Sequence, residues 1–340
     1  MNKGIKGTQI AKNDRQIEMD VLRGIGMFMV VLGHLKPDSF LRTHIYSCHM
    51  FIFFFASGML FNAESNIFMH IWKKMKRLIF PYLVWNFLGQ FAQYYFDGAP
   101  IEQLKRQMFM MDGDIGWNAP VWYLLAIFWI DIMYVLIHRF LTKKSVLAVS
   151  IAAFWFAYTL AEFQIVFPLG FQYVPVGMAF FCLGAWCRMS DVKERLQNGI
   201  FGHLSGYVII MAAILVINIT FGVINNNMIS VFHIKYSNYL FTIIAGIAGV
   251  FFYWFLSYKM TDSWFFCTLG KNTMIVLCSH YFLLRNMKHI SLNTIGLDLW
   301  DYQSSVKAIV ITFVLIYLYF MFVPLLKLIR KYVPVIKWLV

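Results

Sequence analysis

Charged residues are scarce in this sequence. Asp, Glu, Lys and Arg together make up 13% of its 340 residues, whereas soluble domains contain about 25%. Hydrophobic residues make up 60% of the chain and aromatic residues 19%. This composition excludes an ordinary soluble globular protein and is typical of a protein that crosses a membrane several times.

Cysteine is also rare. The five cysteines lie in or beside apolar segments, and none has metal-ligand spacing to a histidine. We therefore expect no disulfide framework and no metal site. The chain opens on polar residues, and no small-residue cleavage site follows its first apolar run, so we expect no cleavable signal peptide either.

Apolar segments of spanning length fill most of the chain. A helix needs about 20 residues to cross a bilayer. We therefore predict an all-α polytopic membrane protein, a bundle of about ten transmembrane helices forming a single domain over residues 1–340. The predicted spans are 17–36, 43–62, 77–96, 120–138, 146–163, 171–189, 204–222, 238–257, 265–285 and 306–326.

The chain has a net charge of +13, and its basic residues lie mostly in the segments between these spans. If the N-terminus is cytoplasmic, most Lys and Arg residues outside the spans fall on the cytoplasmic side, as the positive-inside rule requires. Residues 1–16 and 327–340 are then both predicted to be cytoplasmic, and the chain is predicted to lie in the plasma (inner) membrane. The basic excess is interpreted as a topology signal, and no nucleic acid partner is expected.

The first predicted span contains charged and titratable groups, which are costly in lipid. Arg23 and His34 are eleven residues apart, which places them on nearly one face of a helix, about 17 Å apart along its axis. Asp20 precedes Arg23 by one turn and can pair with it. The alternative is that Arg23 reaches the lipid headgroups and His34 caps the outer end of the helix.

Two further spans contribute histidines to the same half of the membrane. His49 lies in the second predicted span and His280 in the ninth. One such histidine is usually a packed residue with a single hydrogen bond. Together with His34 there are three histidines at similar depth. They indicate a polar cavity inside the bundle, because such groups face the interior rather than lipid.

Basic and aromatic residues mark the ends of other spans. Lys74 and Arg77, one turn apart, either anchor the chain to headgroups or bind phosphate groups of a substrate. Trp117, Trp122 and Tyr123 suit an interfacial aromatic belt and equally suit stacking on a sugar. With Asn272, these three aromatic residues are the candidates for substrate binding.

Four stretches together resemble the membrane acyltransferase-3 family. "RGIGMFMVVLGH" is similar to that family's first-helix signature, an Arg followed by ten residues and a His, with Asp20 also as expected. "HMFIFFFASG", "KRLIFPYLVW" and "LGKNTMIVLCSH" are similar to its second-helix, basic and late-helix patterns. The chain departs from these patterns at Phe51 (Pro in the family), Lys74 (Arg) and Thr273 (Ser). The resemblance covers nearly the whole chain and is closest to stand-alone members without an esterase-like domain.

The resemblance implies an enzyme. Such a protein moves an acetyl group from cytoplasmic acetyl-CoA to a hydroxyl of a surface or exported polysaccharide, or of its lipid-linked precursor. Arg23, Lys74 and Arg77 would hold the CoA phosphates. His34 would be the general base or an acylated intermediate, and the other catalytic candidates are Asp20, His49 and His280. The resemblance implies no permanently bound cofactor; the expected partners are acetyl-CoA, the glycan and membrane lipids.

Transport is the alternative function. A ten-helix bundle with intramembrane Arg, Asp and His could be a proton-coupled transporter or a flippase for a lipid-linked glycan. No inverted repeat or matched pair of broken helices favours it. A structural subunit of a polysaccharide synthase would leave the spacing of Arg23 and His34 unexplained.

Overall fold

The computed structural model describes residues 16–109, 116–192, 194, 203–225, 229–296 and 304–332. The predicted N-terminal segment, apart from residue 16, and residues 333–340 of the predicted C-terminal segment lie outside these ranges. The helices are α1 (Ile17–His34), α2 (Ser39–Met59), α3 (Ile67–Lys74), α4 (Phe80–Asp97), α5 (Ile101–Phe109), α6 (Trp122–Ile137), α7 (Lys143–Glu162), α8 (Val174–Met189), α9 (Leu204–Ile224), α10 (Tyr239–Lys259), α11 (Trp264–Lys271), α12 (Thr273–Ile295) and α13 (Ser305–Tyr332).

The prediction of a helical, multi-pass membrane protein is confirmed. Within the described residues there is no β-strand beyond one isolated bridge between Ser230 and Lys235. Six helical stretches there are long and apolar enough to cross a membrane, namely Gly116–Phe140, Lys143–Glu162, Pro168–Met189, Leu204–Ile224, Tyr239–Lys259 and Ser305–Phe322. The predicted number of ten spans and the side of each terminus stay predictions.

Helix α1 lies in the middle of the bundle. It packs against α2, α10, α11, α12 and α13, and nearly every residue from Met19 to Gly33 is buried. A helix that is covered on all sides by protein presents its polar groups to other helices rather than to lipid. Asp20, Arg23 and His34 are therefore interior groups of the bundle.

Glycines let α1 and α11 approach closely. A Cβ atom on Gly24 would overlap the carbonyl oxygen of Phe266, and one on Gly270 would overlap the carbonyl oxygen of Asp20. Because neither helix has a side chain at the crossing, their backbones are in direct contact. This contact places the end of α1 that contains Arg23 beside the start of α12.

Glycines also bring α2 and α8 into backbone contact. A Cβ atom on Gly58 would overlap the carbonyl oxygen of Phe181, and one on Gly184 would overlap that of Phe55. One turn away, Phe51 and Phe180 stack with ring centroids 4.1 Å apart. The small residue at the end of "FFFASG" thus allows α2 and α8 to pack closely.

A π-helical turn, Met75–Ile79, joins α3 to α4 into one continuous helix. Pro81 follows it and has no N–H to donate to the carbonyl of Arg77, so an ordinary α-helical turn would leave that carbonyl unpaired. In the wider turn, the N–H of Phe80 bonds to the carbonyl of Met75, five residues earlier. Such turns are frequent at functional sites, and this one contains Arg77 and directly follows Lys74.

Candidate active site

Four basic side chains meet in one cavity of about 220 Å³, which we call the cationic pocket. Its lining includes Arg23 of α1, Lys74 and Arg77 of the α3–α4 helix, and Lys271 at the end of α11. Asp131 of α6 is the one carboxylate among the described residues that line it. The structure therefore brings the three predicted phosphate-binding residues together and adds a fourth cation.

Arg23 is held by backbone rather than by a strong ion pair. Its Nη2 atom donates a hydrogen bond of 2.9 Å to the carbonyl of Gly270, and it lies 3.6 Å from Oδ1 of Asp20. The hydroxyl of Thr273 donates to the same carbonyl at 2.6 Å. Because a carbonyl bears no net charge, the guanidinium keeps much of its positive potential for a ligand.

Lys74 is held by a buried carboxylate. Its Nζ atom lies 2.6 Å from Oδ1 of Asp131, while Nε2 of His70 lies 2.6 Å from Oδ2 of the same carboxylate. Nδ1 of His70 accepts a hydrogen bond from the N–H of Glu64, so Nε2 is the donor to Asp131. Both carboxylate oxygens are thus paired, and the ammonium group of Lys74 is fixed on the wall of the pocket.

Arg77 and Lys271 have no such partner. Neither forms an ion pair with a carboxylate in the part of the chain that the structure describes. Both side chains are exposed. Two cations without counter-charges, beside two that are held in place, make the pocket electropositive and suit it to a multiply charged anion.

A second cavity, of about 390 Å³, lies at the other end of α1. We call it the histidine chamber. Its lining includes His34 of α1, His49 of α2, Trp122 of α6, and Tyr281 and Arg285 of α12. Residues 230–233, between α9 and α10, form part of the chamber wall.

His34 contacts two aromatic rings of α12. Its ring centroid is 5.3 Å from that of His280 and 4.8 Å from that of Tyr281. Over the described residues, His34 makes no hydrogen bond, so no carboxylate orients it. His280 itself is 1% exposed and lies behind His34 rather than in the lining of the chamber.

The backbone fixes the tautomers of the other two histidines. Nδ1 of His49 lies 2.8 Å from the carbonyl of Ile45, and Nδ1 of His280 lies 2.7 Å from that of Val276. A carbonyl only accepts, so each Nδ1 carries a proton and each neutral ring has a bare Nε2. His49 therefore offers the chamber a hydrogen-bond acceptor, which can bind a hydroxyl.

One stripe of α1 connects the two cavities. Arg23 and Met27 line the cationic pocket, and Val30 and His34 line the histidine chamber. These positions follow each other at three- and four-residue steps on one face of the helix. Leu277 of α12 lines both cavities, so it separates them together with Met27 and Val30.

The candidates for substrate binding lie in different parts of the structure. Trp122 lines the histidine chamber, while its neighbour Tyr123 lines the cationic pocket. Trp117 is 2% exposed and stacks on Phe96 instead of lining the chamber. Asn272 caps the junction of α11 and α12, where its amide donates to the carbonyl of Thr268 at 2.7 Å.

Several site residues were missed by the sequence analysis. Asp131 had a visible signal, because it is a lone carboxylate inside the apolar run "YLLAIFWIDIMYVLI". Lys271 lies inside the "LGKNTMIVLCSH" stretch. Tyr281 and Arg285 follow Leu277 of that stretch at four-residue steps, so they could have been found by extending its helical period. His233 lies in a loop, and nothing in the local pattern places it in the chamber.

Within the described residues, no group of three His, Cys, Asp or Glu side chains could hold a metal ion. The five cysteines are free thiols there.

A comparison with protein families places the chain. The family model described as an acyltransferase domain matches residues 16–329, nearly the whole length. No curated protein and no solved structure matches the chain.

Proposed function

Because the chain belongs to the membrane acyltransferase-3 family, we propose that it transfers an acetyl group from acetyl-CoA to a hydroxyl of a surface or exported polysaccharide, or of its lipid-linked precursor. The observation that carries this proposal is the single stripe of α1 that joins a cationic pocket to a histidine chamber. A donor with a charged nucleotide and a long thioester arm fits such a pair of cavities.

The cationic pocket would bind the phosphates of CoA. Arg23 can offer two parallel N–H groups to a phosphate, whereas Lys74 acts as a point charge. Arg77 and Lys271 supply the charge that is not already neutralised by carboxylates. Asp20 lies beside Arg23 and would orient it rather than take part in the chemistry.

The thioester arm would run along α1. Arg23 and His34 are eleven residues apart, or about 17 Å along the helix axis. The arm would pass Met27, Val30 and Leu277, which are all apolar and buried. The nucleotide then stays at one end while the acetyl group reaches His34.

At His34 we propose general-base catalysis. The imidazole accepts the proton of a sugar hydroxyl as its oxygen attacks the thioester carbonyl carbon. The carbon–sulfur bond breaks, and the CoA thiolate leaves and takes up a proton. Transfer through an acetylated His34, with release to the sugar in a second step, uses the same contacts.

The other two histidines have different parts in this scheme. His49 has its only ring N–H bonded to Ile45, so in its neutral form it has none for an oxyanion and would instead accept a hydrogen bond from the sugar hydroxyl. His280 packs on His34 and would fix the position of its ring. Trp122, beside them in the chamber, would stack on the sugar.

The topology follows from the same scheme. Acetyl-CoA is cytoplasmic, so the cationic pocket would open to the cytoplasm and both termini would lie on that side of the inner membrane. Cysteine labelling from either side of the membrane, at residue 7 near the N-terminus and at Lys36 after α1, would test this assignment. Labelling of both sites from one side would contradict it.

Acetyl transfer from radiolabelled acetyl-CoA tests the function. Purified protein in liposomes is compared with His34→Ala and Arg23→Ala, and with His203→Ala, an exposed histidine at the start of α9. We expect label to pass to a glycan or to water in the wild type and in the His203 variant, and to be lost in the His34 variant. The Arg23 variant should mainly bind acetyl-CoA less tightly.

A transporter would give a different result in liposomes. A flippase or proton-coupled transporter would move a lipid-linked glycan across the liposome membrane without acyl-CoA. Folded protein that neither binds nor turns over acetyl-CoA, and that moves such a glycan, would replace the enzyme by the transporter.

A further inference from the structure

The histidine chamber contains a cation that the proposed transfer does not use. Arg285 is the one permanently charged side chain among the described residues that line the chamber, and no carboxylate lines it there. Arg285 also forms no ion pair in the described ranges, which leave out residues 110–115. A partly buried guanidinium without a counter-charge favours the binding of an anion.

An aromatic ring supports this cation. The guanidinium carbon of Arg285 lies 5.6 Å from the ring centroid of Trp117. Trp117 in turn stacks on Phe96, with centroids 5.2 Å apart, and donates a hydrogen bond from Nε1 to Asp97. Because a cation over an aromatic face keeps its N–H edges available, Arg285 is positioned while its donors remain free for a carboxylate or phosphate.

Arg285 lies on the far side of His34 from the cationic pocket. Leu277, Tyr281 and Arg285 follow each other at four-residue steps on α12, and all three line the chamber. The Tyr281 ring lies 4.8 Å from that of His34, and Arg285 is one turn further on, about 6 Å along the axis. The residues that would hold the CoA phosphates are at the opposite end, so Arg285 faces the acceptor rather than the donor.

From this arrangement we propose that the acceptor carries a negative charge close to the hydroxyl that is acylated, and that Arg285 binds it. The inference rests on the proposed function. The ligand group is an oxyanion that a guanidinium binds with two N–H groups, either the carboxylate of an acidic sugar or a phosphate of a lipid-linked sugar. Arg285 is then a residue that determines acceptor specificity.

Matched acceptors test the proposal. Acetyl transfer is measured to oligosaccharides that contain glucuronic acid, to the same oligosaccharides after reduction of their carboxyl groups, and to the reduced oligosaccharides linked to polyprenyl pyrophosphate. The proteins are wild type, Arg285→Gln and Arg285→Lys. Acetyl-CoA binding and the thermal midpoint are measured for each.

We expect the wild type to prefer a charged acceptor. In Arg285→Gln the KM for that acceptor should rise about tenfold or more, with little change in kcat, because one charge-assisted contact is lost. The reduced soluble acceptor should be unaffected, and Arg285→Lys should recover part of the loss. An effect on the glucuronic acid series identifies a carboxylate, and an effect only on the pyrophosphate-linked acceptor identifies a phosphate.

Equal loss with charged and neutral acceptors would overturn the proposal. So would a wild type that prefers the reduced soluble oligosaccharide to both charged acceptors. If Arg285→Gln does not fold, competition with the acceptor in the wild type gives a second measurement. Inhibition by free glucuronate or by polyprenyl pyrophosphate is expected, and inhibition by neither would count against the proposal. If acetyl-CoA binds but no glycan is labelled, a glycan acceptor and this inference fail together. If the wild type does not bind acetyl-CoA at all, it is the proposed function that fails.

Discussion

The guanidinium of Arg23 donates a hydrogen bond of 2.9 Å to the carbonyl oxygen of Gly270, although the two residues are 247 positions apart in the chain. The contact joins the "LRG" stretch of the first helix to the "LGK" stretch before α12. The two glycines beside it, Gly24 and Gly270, bring the helices into backbone contact. The position of the arginine in the cationic pocket therefore depends on how closely two distant helices can pack.

Arg23 is expected to recognise the nucleotide part of the donor. In Arg23→Lys the charge remains but the two-pronged contact is lost, so acetyl-CoA should bind about tenfold more weakly, and Arg23→Gln should weaken binding further. S-acetylpantetheine has the thioester but no nucleotide phosphates. Its use as a donor should be nearly the same in the wild type and both variants.

Comparison of the two donors separates phosphate binding from other effects. Arg139→Gln, at an exposed position outside both cavities, serves as the charge control and should leave acetyl-CoA binding unchanged. If Arg23→Gln reduced the use of acetylpantetheine as much as that of acetyl-CoA, Arg23 would be acting on the thioester or on the fold, and its assignment to the phosphates would be wrong.

The close crossing of α1 and α11 should not tolerate a side chain. Gly24→Ala and Gly270→Ala place a methyl group against a backbone carbonyl that cannot move aside, so each should lower the free energy of unfolding by about 1–3 kcal/mol. Gly222→Ala is the matched control, because its methyl group would meet the Cβ of Ser47 at an ordinary 3.8 Å. Alanine in that helix should be neutral or slightly stabilising.

The cysteines provide the measurement. Cys48, Cys182, Cys187 and Cys278 are buried and free, so a thiol-reactive dye reports unfolding during heating of the detergent-solubilised protein. We expect lower transition temperatures for the two variants at the crossing and an unchanged one for Gly222→Ala. A Gly24→Ala variant as stable as the wild type would mean that the two helices are not in backbone contact there.

The helical period predicts much of the arrangement of the site from the sequence. The spacing of Arg23 and His34 predicts that both lie on one face of a helix, and the structure places them at the two ends of one stripe. The same period explains why Trp122 and Tyr123 point into different cavities, since neighbouring residues differ by about 100° around a helix axis. The two residues are grouped together in the sequence analysis, although their separation follows from the helical period alone.

Contacts between distant helices could not be derived in this way. Nothing in "HIWKKMKR" indicates that Lys74 meets Asp131, or that the turn beside it is π-helical. A period specifies which face of a helix is polar but not which helix covers that face. The cation–π contact of Arg285 with Trp117 is likewise a product of packing between elements far apart in the chain.

Asp131 and Lys74 should be strongly coupled. Asp131→Asn leaves Lys74 without its carboxylate, and Lys74→Met leaves the buried carboxylate with His70 alone, so each change should destabilise the protein. The double variant should be more stable than the sum of the two losses predicts, by about 1 kcal/mol or more, because the buried pair is removed as a unit.

A neighbouring pair provides the control for this cycle. Lys73 and Glu64 are 2.8 Å apart, but their side chains are 58% and 39% exposed. Exposed ion pairs contribute about 0–1 kcal/mol, so the cycle of Lys73→Met and Glu64→Gln should show little coupling. The measurement is again the unfolding transition of each variant. Equal coupling in the two cycles would show that Asp131 does not hold Lys74 in the way its geometry indicates.

Leu277 should control passage between the two cavities. It lines both of them, so Leu277→Trp is expected to fill the gap against Met27 and Val30 through which the thioester arm would pass. Acetyl-CoA should still bind, because its phosphates are held in the cationic pocket, but acetyl transfer should fall at least about tenfold, equivalent to about 1.4 kcal/mol in the barrier.

The control for this variant lies on the same helix. Leu283 is 44% exposed and lines neither cavity, so Leu283→Trp should leave both binding and transfer close to wild type. The decisive comparison is between acetyl-CoA binding and acetyl transfer, both measured on Leu277→Trp. Loss of transfer with binding retained locates the reaction beyond Leu277, at the end of α1 that contains His34. Normal transfer in a folded Leu277→Trp protein would mean that the acetyl group does not travel along this stripe, and the reacting thioester would then have to lie in the cationic pocket itself.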